Sequence, residues 1–435
     1  YPAPARRMPR SRTLPVMSPG GPQPEPESES EPAPSLPEIV RQWGRIGCIG
    51  FGGPPTHVAL FRELCVRERQ WLTSEQFERA IAATNLLPGP SSTQLAIYCA
   101  WRLRGYRGAL LGGLCFILPG LIAIIALAAV FLSASLPTWL RGAGMGAGAA
   151  VAAVAVRAGA GIAAPIWARA SDQRRARARV LVYGLAGGIA AALAGAELVI
   201  VLLACGLIEL ARQRIAHRDT GTHASLAAFA LRATRVVAHP SRRALPSWPL
   251  IAAVATPGDT LALTWTALKI GALAFGGGFV IVPLMQADAV STYHWMSHSQ
   301  FLNAVALGQL TPGPLVQTVA VVGYAAAGLP GALLAGAVAF APSFSFILLG
   351  AQRFERMLVD TRVLAFLAGA APSAAGAIIG AAVPLAGAVS ESWQYAILAA
   401  AAIALLVLRR AIVPTLLLAA CAGAAASLLG APTPH

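Results

Sequence analysis

The sequence predicts an all-α polytopic membrane protein with about ten to thirteen transmembrane helices, arranged as two inverted-topology repeats whose helices are broken at Pro and Gly. Hydrophobic residues make up 56% of the 435 positions and charged residues 12%, and the mean hydropathy is +0.64. A soluble domain has too little polar surface to cover such a chain. Several apolar stretches are also long enough to cross a hydrocarbon core once or twice. The third observation is an internal duplication.

The chain divides into four segments by composition. Residues 1–38 are rich in Pro, Ser and Glu, cannot bury a core and are predicted to be a disordered tail. Residues 39–211 are the predicted N-terminal repeat, and residues 249–435 the C-terminal one. Between them, residues 212–248 form a basic linker, predicted to be cytoplasmic because cytoplasmic loops carry an excess of Arg and Lys. The same rule accounts for the net charge of +15, so no nucleic-acid partner is expected.

The duplication has an offset of 224 residues. It aligns Phe51–Gly53 with Phe275–Gly277 and Pro88–Pro90 with Pro312–Pro314, and a one-residue gap then aligns Pro119 with Pro342. Long-period duplication in a membrane protein is typical of transporter folds built from two structural repeats.

The positions of the arginines predict that the two repeats face opposite ways. In the first repeat they occupy the loops around residues 102–107 and 169–179, whereas the matching second-repeat loops, 324–329 and 390–394, contain no Arg or Lys. There the basic residues occupy the alternate loops. Two inverted copies that are joined on one side of the membrane require an odd number of membrane crossings somewhere in the chain, called here the odd crossing. Either the stretch between residues 250 and 268 supplies it, or a Gly-Gly segment is re-entrant.

The Pro-Gly-Pro breaks predict an anion site. Proline cannot continue a helix, and a break inside a bilayer needs protein or a water-filled cavity around the freed backbone. The helix that restarts after each break presents free N–H groups and a dipole that favour an anion. Polar side chains near the breaks add donors, so the candidate substrate-binding residues are Asn85, Gly89, Ser91, Ser92, Thr93 and Gln94, with Gln309, Gly313, Gln317 and Thr318 in the second repeat.

The Phe-Gly-Gly segments add four candidate substrate-binding glycines, Gly52, Gly53, Gly276 and Gly277, because adjacent glycines weaken a helix and expose its backbone. Six residues before each phenylalanine lies a cation, Arg45 or Lys269. Such a cation either attracts substrate or snorkels to the interface.

Two acidic residues, Glu63 and Asp288, are candidates for carrying a coupling proton if burial raises their pKa. The alternative is a solvated loop carboxylate paired with Arg62 or Arg67. No catalytic residue, metal ligand or cofactor is predicted, since the histidines and cysteines have no metal-ligand spacing.

At these motifs the chain resembles the chromate ion transporter family. The resembling stretches are FGGPPTHVALFRE (51–63), NLLPGPSSTQLA (85–96), GGLCFILPG (112–120), FGGGFVIVPLM (275–285) and GQLTPGPLVQTVA (308–320). The resemblance implies a duplicated, inversely oriented protein of the cytoplasmic membrane that exports chromate, driven by the proton-motive force. Two positions depart from the pattern: Asn85 stands where a glutamine like Gln309 is expected, and Leu87 stands opposite Thr311.

Two other functions stay open. Sulfate or another tetrahedral dianion is nearly isosteric with chromate, and a pocket of backbone donors accepts either. A membrane-embedded enzyme acting on lipid phosphate is the more distant alternative, because it requires a non-repeated cluster of catalytic groups. The expected partners are an oxyanion and the lipid bilayer, and assembly as a homodimer is left open.

Overall fold

The computed structural model describes residues 34–133, 136–170, 174–193, 198–218, 258–274, 278–350 and 360–433. Every regular element in these ranges is helical, which confirms the predicted all-α class. Most of the predicted tail and linker lies outside the described residues. Where they are described, the first helix already begins at Leu36, inside the predicted tail, and the helix that precedes the linker continues to Arg218.

The described part of the first repeat contains seven helices: α1 (Leu36–Ile49), α2 (Pro54–Arg62, extended by a π-helical turn, Glu63–Glu68), α3 (Ser74–Leu86), α4 (Ser91–Phe131), α5 (Thr138–Arg169), α6 (Arg174–Leu193) and α7 (Leu198–Arg218). The second contains α8 (Gly258–Leu273), α9 (Ile281–Gln286, extended by a π-helical turn, Ala287–Thr292), α10 (His298–Leu310), a 3₁₀ turn (Leu315–Thr318), α11 (Val319–Gly350), α12 (Thr361–Gly380), α13 (Ala382–Gly387), α14 (Ser392–Ala402, extended by a π-helical turn, Ile403–Val407) and α15 (Ile412–Leu428).

The duplication extends to irregular details of the backbone. The π-helical turns at 63–68 and 287–292 are 224 residues apart, and each is followed by a residue of positive φ, Gln70 at 47° and His294 at 55°. Both α3 and α10 begin with a capping box, in which the cap hydroxyl and a glutamine three residues later bond each other's backbone N–H. The sequence repeat is therefore a structural repeat.

Helices α4 and α11 each fold back on themselves. Gly105 has φ 59° and ψ −149°, and Gly328 has φ 62° and ψ −152°, values that are not helical. Gly108 packs on the carbonyl oxygen of Ala100, although residues eight apart in one straight helix are separated by about 12 Å. Each helix is therefore a hairpin of two arms, with residues 91–103 and 106–131 in α4.

Two re-entrant hairpins precede the long arm of α4. Helix α1 has 14 residues and spans about 21 Å, short of the ~30 Å hydrocarbon core. It pairs with α2 so that Glu38, near the start of α1, lies 3.7 Å from Arg69, beyond the end of α2. Helix α3 and the arm 91–103 form the second hairpin. The Phe-Gly-Gly and first Pro-Gly-Pro motifs are the tips of these hairpins.

The equivalent long arms of the two repeats run antiparallel. On arm 106–131, Gly113 packs against Phe344, and further along it Leu121 packs against Gly336 of the second repeat. An antiparallel crossing of equivalent helices is the arrangement that inverted repeats require. By this geometry α7 ends at one face of the bundle and α8 starts at the other. Residues 219–257, which connect them, lie outside the described residues, so the odd crossing stays a prediction.

The last helices of each repeat pack on the other repeat. Helix α5 packs against α14 and α15, and α12 packs against α6 and α7. These contacts are close because they are made by small residues: Gly376 and Gly380 touch the backbone of Gly184 and Gly188. Small residues let transmembrane helices approach without a hydrophobic driving force. Five described helices, counted with α4 and α11 as continuous, are long and apolar enough to span a bilayer, and three shorter helices are also apolar.

Candidate functional site

A cavity of ≈ 1740 Å³ lies between the two repeats. The hairpin tips form part of its wall, because Gly53, Gly89 and Gly313 all line it. The tips of the two repeats also touch: the N–H of Gly313 donates to the carbonyl of Gly50 at 3.0 Å. Of the predicted substrate-binding residues, seven line this cavity: Gly52, Gly53, Asn85, Gly89, Ser91, Gln309 and Gly313.

Both Pro-Gly-Pro tips depend on glycine and on a glutamine. Gly89 has a φ of 117° and Gly313 a φ of 102°. Residues with a side chain rarely adopt these backbone conformations. The amide of Gln94 donates to the carbonyl of Pro88 at 2.6 Å, and that of Gln317 donates to the carbonyl of Pro312 at 2.9 Å. Both glutamines therefore use their donors to satisfy carbonyls freed by the break, and they shape the tip instead of offering donors to the cavity.

The restarting helix after the first break has free donors. Its first backbone hydrogen bond runs from Gln94 N to Pro90 O, so the N–H groups of Ser91, Ser92 and Thr93 precede the helical ladder. Among the described residues, the buried hydroxyls of Ser92 and Thr93 have no hydrogen-bond partner. Ser91 lines the cavity. An anion at this helix start would meet the positive end of the dipole.

The second break differs. The hydroxyl that follows this break, on Thr318, donates to the carbonyl of Leu315 at 2.7 Å, and the chain continues as a 3₁₀ turn in which Gln317 and Thr318 are fully buried. Gly276 and Gly277 lie outside the described residues. Among the described residues that directly follow the two Pro-Gly-Pro breaks, the hydroxyls without a hydrogen-bond partner are therefore those of Ser92 and Thr93 in the first repeat.

Neither predicted cation lines the cavity. The side chain of Arg45 is exposed on α1, and the ammonium of Lys269 lies 2.7 Å from Asp288. This geometry does not give either residue a central position, because their spacing from Phe-Gly-Gly places them along the hairpin arms and away from the tips. Glu63 is exposed and pairs with Arg67 at 3.0 Å, one helical turn away. This is the geometry of a solvated carboxylate paired with an arginine, the alternative to a buried proton carrier.

The cavity has a different set of charges, which sequence reasoning missed. Within the described part of the chain, its charged lining consists of five arginines and one carboxylate: Arg157, Arg169, Arg179, Arg409, Arg410 and Glu209. A cleft lined by one sign of charge with low-dielectric walls concentrates ions of the opposite sign. The available signal was Arg157, a single cation inside the otherwise apolar run 149–166.

Glu209 is the centre of a buried polar cluster in the cavity wall. Its carboxylate accepts hydrogen bonds from Tyr183 at 3.0 Å and from Arg212 at 2.6 and 3.0 Å, and Arg179 lies 3.7 Å away. Charge-assisted bonds of this kind are the stronger ones in proteins. The cluster ties α6 to α7 and neutralises part of the charge of two arginines.

The family model for chromate transporters matches residues 37–210 and 261–426, one match to each repeat. The chain belongs to the chromate transporter family. A chromate transport protein of Cupriavidus metallidurans is 30% identical over 354 residues, which cover 81% of this chain and 83% of that protein. A chromate transport protein of Pseudomonas aeruginosa is 30% identical over 350 residues, 79% of each chain.

A probable chromate transport protein of Synechococcus elongatus is 29% identical over 359 residues, covering 81% of this chain and 84% of that one. No solved structure matches the chain at a significant level. In this chromate transporter family member the two family matches begin and end close to the described repeats, so the family relationship extends over both walls of the cavity.

Proposed function

We propose that this chain exports chromate across the cytoplasmic membrane, where it forms a multi-pass protein with the linker 212–248 on the cytoplasmic side. The observation that carries the proposal is the charge of the central cavity: five arginines face one glutamate among its described lining residues. An anion of charge −2 fits such a site, and relatives at about 30% identity are named chromate transport proteins. Export of chromate would confer resistance.

The membrane potential supplies the driving force in this proposal. Moving one charge across 100 mV is worth about 2.3 kcal/mol, so a dianion leaving an inside-negative cell gains about 4.6 kcal/mol. That free energy corresponds to a concentration ratio on the order of 10³. The proton-motive force can thus drive export through its electrical component, and neither Glu63 nor Asp288 has to carry a proton.

The cavity corresponds to an inward-facing state. Arg169 at the end of α5 and Arg179 in α6 belong to the first repeat's basic stretch 169–179, Arg409 precedes α15 in a basic loop of the second repeat, and all three line the cavity. Basic loops at one mouth agree with the positive-inside rule. In an alternating-access cycle the anion enters at this mouth and reaches the hairpin tips, and the repeats then rearrange to open the opposite face.

The packing of α3 and α10 supports this direction of opening. Leu302 and Asn303 of α10 pack against Gly148 of α5, whereas α3 and α12 make no comparable contact among the described helices. The residues of α3 at the equivalent positions are Glu78 and Arg79, both exposed. A charged face favours water, so the cavity is open on the α3 side and closed on the α10 side.

Sulfate is the second candidate substrate, since a tetrahedral dianion of nearly the same size meets the same charges. Inside-out membrane vesicles from cells expressing the chain test both. We expect energised vesicles to accumulate chromate, valinomycin with potassium to abolish accumulation, and nigericin to leave most of it. Vesicles without the protein are the control.

Chromate accumulation no greater than in the control vesicles would overturn the proposal. If an equal concentration of sulfate suppresses chromate accumulation completely and is itself accumulated faster, sulfate is the substrate. A membrane-embedded enzyme would instead leave anion accumulation at the control level and release a product from lipid phosphate.

A further inference from the structure

Helix α5 carries one cation in its interior. Arg157 lies twelve residues before the end of α5 at Arg169 and nineteen after its start at Thr138, which places it about 18 Å and 28 Å from the two ends. These distances exceed what an arginine side chain spans by snorkelling. A charge at such depth is expensive and faces either a partner or water.

Arg157 faces the cavity and has no partner among the described residues. It is half-buried and lines the cavity wall, and no hydrogen bond or ion pair joins it to any described side chain. The other cavity arginines differ. Arg179 forms an ion pair with Glu209, which also pairs with Arg212. Arg169, Arg409 and Arg410 are exposed near the helix ends. Among the described lining residues, Arg157 is therefore the deep charge without a partner.

The surroundings of Arg157 leave room for a ligand. Gly161, one turn further along the same face of α5, also lines the cavity, and a Cβ added there would meet no atom within 4 Å. Ala158 and Ile162, beside them, present only apolar atoms to the same space. A guanidinium offers paired N–H donors that match two oxygens of a tetrahedral oxyanion, which a lysine ammonium cannot reproduce.

The charge is not part of the repeat. Helices α5 and α12 begin at Thr138 and Thr361, and the same offset of 223 residues places Gly380 opposite Arg157. In the described part of the lining, one deep cation thus serves the cavity, and the partial positive charge at the helix start of Ser91, on another part of the same wall, adds to it.

We propose that Arg157 is the residue that binds the transported oxyanion inside the cavity. The inference rests on the proposed function and adds to it the site of substrate binding. It also assigns this role to a residue outside the repeated motifs, so the bound anion lies nearer to the first repeat's α5 than to the pseudo-symmetric position on α12.

The test uses purified full-length protein with potassium chromate as the probe, comparing the wild type with Arg157→Ala and Arg157→Lys. Arg79→Ala, which removes an exposed arginine of α3 that is paired with Glu75, is the matched control. Chromate-dependent thermal stabilisation reports binding, and vesicle accumulation reports transport. For Arg157→Ala we expect an apparent chromate affinity lower by about 10- to 100-fold, with the ligand-free melting temperature unchanged. Arg157→Lys should recover only part of the affinity.

The inference is overturned if the wild type binds and transports chromate while Arg157→Ala retains both within twofold. It is also overturned if Arg157→Ala lowers the ligand-free melting temperature but leaves the chromate affinity unchanged, which would assign Arg157 a structural role. A wild type that neither transports nor is stabilised by chromate or sulfate overturns the proposed function itself, whereas active wild type with an indifferent Arg157 overturns the inference alone.

Discussion

The ammonium of Lys269 contacts both carboxylate oxygens of Asp288, at 2.7 and 3.0 Å, and thereby joins α8 to the π-helical turn after α9. Thr266 donates a further hydrogen bond to the same carboxylate at 2.9 Å. The side chains are 21% and 7% exposed. Lys269 is the only lysine of the chain, and its partner neutralises it. The first repeat has Arg45 and Leu64 at the equivalent positions, so the pair is specific to the second repeat.

This ion pair predicts a structural phenotype. Removing one partner leaves a largely buried charge, and breaking such a pair costs about 3–5 kcal/mol, so Lys269→Met and Asp288→Leu should each lower the apparent melting temperature of the detergent-purified protein. The double variant Lys269→Met/Asp288→Leu should recover most of the loss, because apolar replacement of both partners is often neutral. If the double variant is as unstable as the sum of the single ones, the pairing energy is not what holds α8 in place.

The contact between α6 and α12 predicts an intolerance to side chains. A Cβ at Gly376 would overlap the backbone of Gly184, and overpacking costs about 1–3 kcal/mol. Gly376→Ala should therefore reduce stability and the yield of monodisperse protein. Gly387→Ala is the matched control, because a Cβ there meets no atom within 4 Å. Equal melting temperatures for the two variants would contradict the close approach of these helices.

The sequence predicted the repeat, its inversion and the breaks because these depend on local chemistry: proline and glycine weaken helices wherever they occur, and arginines avoid the far side of a membrane. It did not distinguish a full crossing from a hairpin arm, since α1 and an equal length of a spanning helix are similarly apolar. That difference depends on long-range contacts, such as the pairing of Glu38 with Arg69.

The charges of the site were harder to predict for the same reason. The repeat symmetry predicted Arg45 and Lys269 as the cations of the site. Arg157 and Glu209 have no charged counterpart at the equivalent positions of the second repeat. Glu209 acquires its role from Tyr183, 26 residues earlier, and its place in a cavity wall from helix packing. A single charge within a long apolar run is the one local signal that pointed toward the cavity.

The Glu209 cluster predicts a graded effect. Tyr183→Phe removes one hydrogen bond to a charged group and should cost about 1.5–3 kcal/mol. Glu209→Gln removes the charge that pairs with Arg179 and Arg212, so its loss of stability should be larger. A double-mutant cycle on thermal unfolding measures the coupling between Tyr183 and Glu209. Strictly additive losses would mean that the two residues act independently, against the 3.0 Å bond between them.

The antiparallel long arms predict opposite locations for the two hairpin turns. A reporter fused after Gly105 should lie in the cytoplasm, because Arg102, Arg104 and Arg107 surround that turn. Green fluorescent protein fused there should fluoresce, and alkaline phosphatase fused there should be inactive. The same reporters after Gly328 should give the reverse result. A fusion after Thr433 is the internal control: its carbonyl accepts a bond from Arg141 at the start of α5, the end where arm 106–131 arrives, so it should match Gly328. Matching results at Gly105 and Gly328 would refute the inverted repeat, whatever the substrate.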